Sequence, residues 1–205
     1  MTIQTNELIE YFATSTIEFR NAFQTTLPSG KLDSNRKTAS DVCGFIIPLK
    51  GNARFSLDGV PYHIDQHTIV HAGRDMNNKI KTYDTEWVYA VIHYEVIEAD
   101  DKFKGFIDKH FSIELDNMED ILKIIEQLLH KNMNPDHFSQ FELKAIFMSL
   151  MKEVLNGARN SQYNFTLQQV TKIIDYFHSH YEEEIFISEV ADMFNIDRRR
   201  IAYLF

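Results

Sequence analysis

The sequence predicts an antiparallel β domain followed by amphipathic helices and a C-terminal helix-turn-helix. Between Cys43 and Val96, short β-rich runs alternate with turn residues, and no helical pattern separates them. From about Asp116 the apolar residues recur at helical spacing instead. The last stretch, ISEVADMFNIDRRRIAYLF, reads as two short helices joined by a tight turn. Together these patterns predict a fold in which β structure comes first and helices follow.

The β-rich part contains five or six predicted strands in about fifty residues. The runs are CGFIIPLKGN, ARFSLDG, VPYHIDQ, HTIVHAG, NKIKTYD and EWVYAVIHYEV. Asp58-Gly59 is a hairpin signal because both turn positions need a positive φ, and Lys50-Gly51-Asn52 marks a second turn. Short, regularly spaced strands without intervening helices predict an antiparallel sandwich or barrel.

Two amphipathic helices are predicted after the strands, in DNMEDILKIIEQLLHKNM and FELKAIFMSLMKEVL. Asn134-Pro135-Asp136 separates them, and Asn156-Gly157 is expected to end the second. Their apolar stripes have two interpretations: they cover the β domain, or part of this surface pairs with a second copy in a homodimer. The residues assigned to dimer helices are Ile121, Ile125, Leu128, Leu143, Phe147 and Leu150. The polar stretch 157–165 is predicted to be a linker.

Composition limits the class of protein. A chain of 205 residues that is 44% hydrophobic can bury a substantial core. The sequence has neither a secretory signal nor a membrane-spanning run, and its single cysteine, Cys43, excludes an internal disulfide. A cytoplasmic location with no membrane association is therefore expected. A net charge of −9 requires that any contact with nucleic acid be local.

The final stretch has the spacing of a helix-turn-helix. A small residue, Ala191, stands where the helices would cross, and Asn195 occupies the turn. The apolar positions that such a unit needs are filled by Val190, Phe194, Ile196, Ile201 and Leu204. Ser188 and Asp197 are predicted helix caps. The residues expected to project from the second helix toward DNA are Arg198, Arg199, Ala202 and Tyr203. The alternative is an ordinary helical hairpin whose arginines are solvated.

The segment IIDYFHSHYEEEIFISEVADMFNIDRRRIAYLF resembles the first half of the DNA-binding module of AraC/XylS-type transcription regulators. More loosely, FIIPLKGNARFSLDGVPYHI, the HAG turn at 71–73 and WVYAVIHYEV are similar to the cupin-like sensing domain of that family. The resemblance implies a cupin-like β-barrel at 1–156 with two C-terminal helices, a linker at 157–165 and a DNA-binding module at 166–205. It also implies that the module is truncated, because family members carry a second helix-turn-helix. Operator DNA is therefore expected to bind weakly or not at all.

A ligand pocket is predicted around the last strand. WVYAVIHYEV places Trp87, Tyr89, Val91 and His93 on one face, and both faces are too apolar for open solvent. Core packing and an enclosed organic ligand are both consistent with this pattern. The residues assigned to the pocket are Phe45, Ile47, Arg54, Phe55, Trp87, Tyr89 and His93. Arg54 would matter most for an anionic effector.

Cupin-like folds also include metal enzymes, so the histidines need separate consideration. His63, His67 and His71 are spaced by four, which suits a helix, yet the segment reads as strand, turn and strand. No metal site, cofactor or catalytic residue is predicted, and no nucleophile motif is present. The favoured function is transcription regulation by a domain that senses a small molecule or dimerises. The alternatives are a cupin-fold metal enzyme and a dimerisation-only domain with ligand sensing elsewhere in a longer protein.

Overall fold

The computed structural model describes residues 3–133, 137–182, 184–199 and 201. The chain divides into two compact units, Met1–Arg159 and Asn160–Phe205. The division falls inside the range 157–165 that was predicted to be a linker. Each unit is considered by itself below.

The first unit contains nine strands and most of the helical residues. The strands are β1 (Thr16–Leu27), β2 (Leu32–Lys37), β3 (Cys43–Lys50), β4 (Ala53–Leu57), β5 (Val60–Ile64), β6 (Thr68–Ala72), β7 (Asn77–Thr82), β8 (Trp87–Glu98) and β9 (Phe111–Glu114). The helices of the chain are α1 (Thr5–Thr14), α2 (Glu119–Asn132), α3 (His137–Ser179) and α4 (Ile187–Phe194), with a single 3-10 turn at Asp101–Phe103. All six strands predicted between Cys43 and Val96 are present as β3 to β8. Among the described residues, no helix is both long enough and apolar enough to cross a membrane.

The strands form two antiparallel sheets. The five-stranded sheet has the order β1-β8-β3-β6-β9, and the four-stranded sheet has the order β2-β7-β4-β5. At the β4–β5 hairpin, Asp58 and Gly59 have φ values of 45° and 85°, as the Asp-Gly signal predicted. The architecture is therefore the predicted antiparallel, cupin-like one. It is built from two packed sheets, and the described strands do not close into a single barrel.

Two apolar cores lie on opposite faces of the five-stranded sheet. One core fills the space between the sheets and includes Ile46 from β3, Phe55 from β4 and Trp87 from β8. The other core lies between the five-stranded sheet and the helices and includes Phe45 and Ile47. Successive residues of β3 thus enter different cores because side chains alternate across a strand. The unit has three layers: helices, the five-stranded sheet and the four-stranded sheet.

The predicted dimer helices pack inward, which corrects that assignment. All six assigned residues are almost fully buried within this chain, in the core between the helices and the five-stranded sheet: Ile121, Ile125, Leu128, Leu143, Phe147 and Leu150. A second copy cannot contact side chains that the same chain already covers. Of the two interpretations of the stripes, the structure supports the one in which they cover the β domain.

The predicted helix end at Asn156-Gly157 is wrong, because α3 continues to Ser179. Gly157 has a helical role instead: a Cβ atom built on it would lie 2.6 Å from Cδ2 of Leu115. The glycine therefore permits close packing between the helix and the β domain, and it does not form a left-handed stop. The range 157–165, predicted to be an irregular linker, is helical throughout.

The second unit has the core that the helix-turn-helix spacing predicted. Val190, Ala191 and Ile201 are buried together with Ile173 of α3. Phe194 and Ile196 pack against this cluster, whereas Leu204 lies outside the described residues.

The turn of this unit is also as predicted. Asn195 has a left-handed conformation, with φ 50° and ψ 49°, and the backbone N–H of Ile196 donates to the carbonyl of Ala191. Asp197 caps the second helix, since its Oδ1 accepts the backbone N–H of Arg199 at 2.8 Å. The Ser188 cap is wrong, because α4 begins at Ile187 and has Phe186 at its N-cap.

Candidate functional site

A cavity of about 370 Å³ lies at one end of the space between the two sheets. This volume is within the range that accommodates small organic ligands. Its lining residues come from β1, β2, β3, β4, β6, β7, β8 and the loop before β3: Phe23, Thr25, Arg36, Lys37, Thr38, Ala39, Val42, Gly44, Ile46, Phe55, Ala72, Asn78, Ile80, Tyr89, Val91 and His93.

Strand alternation explains which side chains reach the cavity. On β8, Tyr89, Val91 and His93 face it, whereas Ala90 and Ile92 enter the core on the other side of the sheet. This division of β8 into two faces was predicted from the sequence. The cavity remains open because several positions on its wall carry small side chains, among them Gly44 and Ala72.

His93 is the titratable ring at the cavity wall. Its Nδ1 lies 3.0 Å from Oδ1 of Asn21, and its ring makes an edge contact with Phe23 at 5.6 Å between centroids. A Cβ atom at position 44 would lie 3.2 Å from Cδ2 of His93, so Gly44 gives the ring room to lie against β3. Burial lowers the pKa of His93, and the charge of Asp41 opposes this shift. Near neutral pH the ring is therefore an uncharged hydrogen-bonding group.

The charged part of the wall lies on β2. Nε of Arg36 is 3.0 Å from Oδ2 of Asp33, and about half of the Arg36 side chain is exposed. Burial raises the pKa of the Tyr89 hydroxyl, and the positive charge of Arg36 opposes that rise. Because Arg36 and its neighbour Lys37 are exposed as well as cavity-lining, they mark the mouth. An anionic group at this mouth would meet positive charge.

Deeper polar capacity comes from Asn78 on β7. Its Oδ1 is buried and has no hydrogen-bond partner among the described residues. A buried acceptor without a donor costs free energy, on the order of 1–3 kcal/mol. Since Asn78 lines the cavity, a ligand that carries an O–H or N–H group would supply the missing donor.

Only part of the sequence-predicted pocket is brought together. Phe55, Tyr89 and His93 line the cavity. Phe45 and Ile47 belong to the opposite core, and their assignment is corrected. The run CGFIIP is buried on both faces, so its hydrophobicity could not reveal which residues point which way.

Arg54 and Trp87 are also corrected. Arg54 alternates with the buried Phe55 on β4, so it lies exposed on the outer face of the four-stranded sheet. Trp87 is fully buried and stacks on Tyr89 at 3.9 Å between ring centroids, but it does not line the cavity. Its indole supports the wall from behind.

Sequence reasoning missed Phe23, Thr25 and Arg36 because β1 and β2 were not predicted. A signal was present in β1, where Ile17, Phe19, Asn21, Phe23, Thr25 and Leu27 form one side of the alternating run TIEFRNAFQTTL. No comparable signal marks Arg36. The irregular pairing of β2 with β7 between Asp33 and Arg36 places Arg36 opposite Asn78, and a sequence does not reveal such an irregularity.

The four histidines considered for metal binding are dispersed. His63 lies in β5, His67 in the following turn and His71 in β6. His71 uses both ring nitrogens: Nε2 is 2.7 Å from the Tyr94 hydroxyl, and Nδ1 is 3.1 Å from the carbonyl of Lys109. Within the described ranges, no group of three or more His, Cys, Asp or Glu side chains could hold a metal ion.

The predicted DNA-contacting residues are described only in part. Arg198 and Arg199 are helical and exposed at the start of the second helix, directly after the Asp197 cap. Ala202 and Tyr203 lie outside the described residues. The observed geometry leaves two guanidinium groups free to approach a phosphate or a guanine edge.

No protein-family model matches this sequence, and no curated protein matches it either. Solved structures do resemble the fold. An apo form of a ToxT variant from Vibrio cholerae strain SCE256 has 13% sequence identity and a TM-score of 0.49, with 93% of this chain and 75% of that chain covered. An RmlC-like cupin family protein from Methanocaldococcus jannaschii has 20% identity and a TM-score of 0.31, with 40% of this chain and 80% of that chain covered.

Enzymes occur among the similar structures as well. The DMSP lyase DddQ from Ruegeria pomeroyi DSS-3 has 15% identity and a TM-score of 0.34, with 43% of this chain and 51% of that chain covered. The likeness in every case is one of backbone arrangement at low identity. Function must therefore be argued from the residues of this chain.

Proposed function

We propose that this chain is a transcription regulator in which the β unit binds a small organic ligand and the C-terminal unit contacts DNA. The observation that carries the proposal is the C-terminal unit: a left-handed Asn195 between α4 and an Asp197-capped helix, with Arg198 and Arg199 exposed. Such a unit presents the start of its second helix to DNA, where arginine can contact guanine or phosphate.

The ligand is a small amphipathic molecule with an anionic group and a hydrogen-bond donor. Its body would contact the apolar wall formed by Ile46, Phe55 and Ile80. The anionic group would lie near Arg36 at the mouth, and the donor would reach Oδ1 of Asn78. The cupin-fold metal enzyme lacks a comparable supporting observation, since the histidines that it would use are dispersed.

Self-association through the outward side of α3 is part of the proposal. Phe138 and Phe141 are each 70% exposed and Met148 is 51% exposed, and these three residues form an apolar ridge on the side of the helix opposite the buried stripe. The ridge offers roughly 350 Å² per protomer, below the roughly 800 Å² that a standard interface buries on each partner. We therefore expect a weak homodimer that forms at high protein concentration.

Ligand binding is tested with 8-anilinonaphthalene-1-sulfonate, an aromatic anion whose fluorescence rises in an apolar site. Arg36→Gln should weaken its binding roughly tenfold, because the sulfonate loses its charge partner at the mouth. Arg54→Gln removes the same charge from the outer face of the neighbouring sheet and is the matched control. Equal binding by the two variants would refute the anionic orientation, and Ala72→Leu, which fills the cavity, should abolish binding.

DNA contact is tested by fluorescence anisotropy with a labelled duplex of about 20 base pairs at roughly 50 mM salt, where non-specific dissociation constants are near 10⁻⁴–10⁻⁶ M. Replacing Arg198 and Arg199 together with alanine should weaken binding about tenfold. Undiminished binding by the double variant would remove the proposed role of the second helix.

A further inference from the structure

The outer face of the four-stranded sheet carries a cluster of cations, here called the basic face: Arg54 on β4, and Lys79 and Lys81 on β7. All three side chains are exposed and line one shallow surface depression, together with Leu32, Ser56, Gly59 and Pro61. The cluster is separate from the cavity, because Phe55 and Ile80, which alternate with these residues, point to the other side of the sheet.

Strand register brings the three cations together. Arg54 is directly opposite Lys81, and Ser56 is directly opposite Lys79. Directly opposed side chains lie about 5 Å apart at Cβ, and residues two apart on one strand are separated by roughly 7 Å. His63 is the next residue across from Arg54, on β5. Like charges directly opposite each other destabilise a sheet, so a cluster of this kind is unfavourable without an anion.

No carboxylate in the described part of the chain forms an ion pair with Arg54, Lys79 or Lys81. Other cations of the same unit do have acidic partners: Arg20, Arg36, Lys37, Lys50, Arg74, Lys102, Lys104 and Lys123. The contrast is notable because the chain has an excess of acidic residues and a net charge of −9.

The nearest acidic side chains in these strands and turns have other partners. Asp33 pairs with Arg36 at the cavity mouth. Asp58 accepts hydrogen bonds from the backbone and side chain of Asn77, and Asp65 accepts them from His67 and Thr68. The positive charge of the basic face is therefore directed outward to solvent.

We propose that the basic face contacts the phosphate groups of a DNA backbone. The proposal rests on the proposed function, since it assumes that the chain acts on DNA. The basic face would make sequence-independent contacts, and any sequence reading would belong to the second helix of the C-terminal unit. Because most of the surface is acidic, attraction confined to one face would also select the orientation in which the protein approaches DNA.

The openness of the face favours a backbone of repeated phosphates over a single small anion. A selective small-anion site gathers backbone N–H groups and side chains around one point. Here β4 and β7 are both interior strands of the sheet, so their backbone N–H groups are used in pairing. Only separate side-chain charges remain, spread over the sheet surface, and such charges suit successive phosphates.

The test extends the anisotropy measurement with a triple variant, Arg54→Gln/Lys79→Gln/Lys81→Gln. Its matched control is Lys104→Gln/Lys123→Gln/Lys152→Gln, which removes the same charge from exposed sites elsewhere. We expect the first variant to bind duplex DNA at least about tenfold more weakly, and its plot of log affinity against log salt to be shallower by about 2. The control should bind like the unmodified chain. Lys79→Arg/Lys81→Arg keeps the charge and should keep the affinity.

Equal affinity and equal salt dependence of the two triple variants would overturn the proposal. If they bind equally while the Arg198 and Arg199 double variant loses binding, the basic face has no role but the proposed function stands. If the unmodified chain does not bind duplex at about 50 mM salt, both DNA contacts are refuted, while ligand binding remains separately measurable. Binding of labelled poly-L-glutamate that depends on the basic face, with DNA binding unaffected, would replace DNA with an acidic protein partner.

Discussion

The two faces of the five-stranded sheet have similar composition and different roles. Toward the helices, Phe45, Ile47 and Tyr94 lie in a filled core, and His71 is hydrogen-bonded through both ring nitrogens. Toward the second sheet, the same strands border an unfilled cavity, and His93 has one recorded hydrogen bond. Apolar and aromatic residues on a strand are thus compatible with both packing and binding, and the layer opposite decides which occurs.

Neighbouring isoleucines on β3 give the most direct test of this comparison. Ile47 is fully buried in the helix-side core, and Ile46 borders the cavity. Ile47→Ala should lower the free energy of unfolding by about 3–5 kcal/mol, because truncation leaves a new void in a filled core. Ile46→Ala removes the same atoms beside an existing cavity, where fewer contacts are lost, and should cost about 2 kcal/mol. Chemical denaturation measures both, and equal costs would mean that the cavity is packed in solution.

The two histidines differ in how they couple stability to pH. Burial lowers the pKa of His71 to about 3, below its ordinary value of 6.5, and lowers that of His93 in the same direction. The unfolded chain therefore takes up a proton near pH 6.5 that the folded chain refuses until about pH 3. Stability is fully present above pH 6.5 and is lost as the pH falls below it, by up to about 1.4 kcal/mol per pH unit for His71.

Urea unfolding measured between about pH 4 and pH 7 checks this expectation. His71→Gln should make the slope of stability against pH shallower by about 1.4 kcal/mol per unit, and His93→Gln should change it less. His137→Gln, at an exposed position on α3, is the control for loss of a histidine. An unchanged slope in His71→Gln would show that His71 is not held neutral by burial.

The smallest expected effect concerns the apolar ridge on α3. Phe138→Ser/Phe141→Ser should raise the dimer dissociation constant by about tenfold or more without altering the melting temperature, since both side chains are exposed. Sedimentation velocity over a concentration series measures the association. Tyr181→Ser, at another exposed aromatic residue, is the control. If the chain is monomeric at every concentration, or if both variants associate equally, the ridge is not an interface.

The β-rich segment shows which features of the fold the sequence could predict. The six strands from Cys43 to Glu98 were predictable because turn residues such as Asp58-Gly59 separate short apolar runs. The first two strands were missed, although β1 carries an alternating pattern, because attention to apolar runs overlooks a strand with polar residues on one face. The end of α3 was misplaced because Asn-Gly is a stop signal unless packing, here against Leu115, requires the glycine within the helix.

The candidate site was predictable only where one strand contributes to it. The alternation of β8 correctly placed Tyr89 and His93 on one face. Arg54 and Phe55 could not both face the cavity, because neighbouring residues on a strand point to opposite sides. Arg36 replaces Arg54 as the cation at the cavity, and its position depends on an irregularity in the pairing of β2 with β7.

By itself the sequence determined the antiparallel strands, the helical stripes and the core of the C-terminal unit, because periodicity, turn residues and caps act over a few neighbouring positions. Tertiary structure alone decided that the helical stripes face the β domain, that a cavity opens beside Arg36 and Asn78, and that Arg54, Lys79 and Lys81 share one surface. The physical reason is that these properties depend on strand register and on the layer packed opposite. Both join residues that are far apart along the chain.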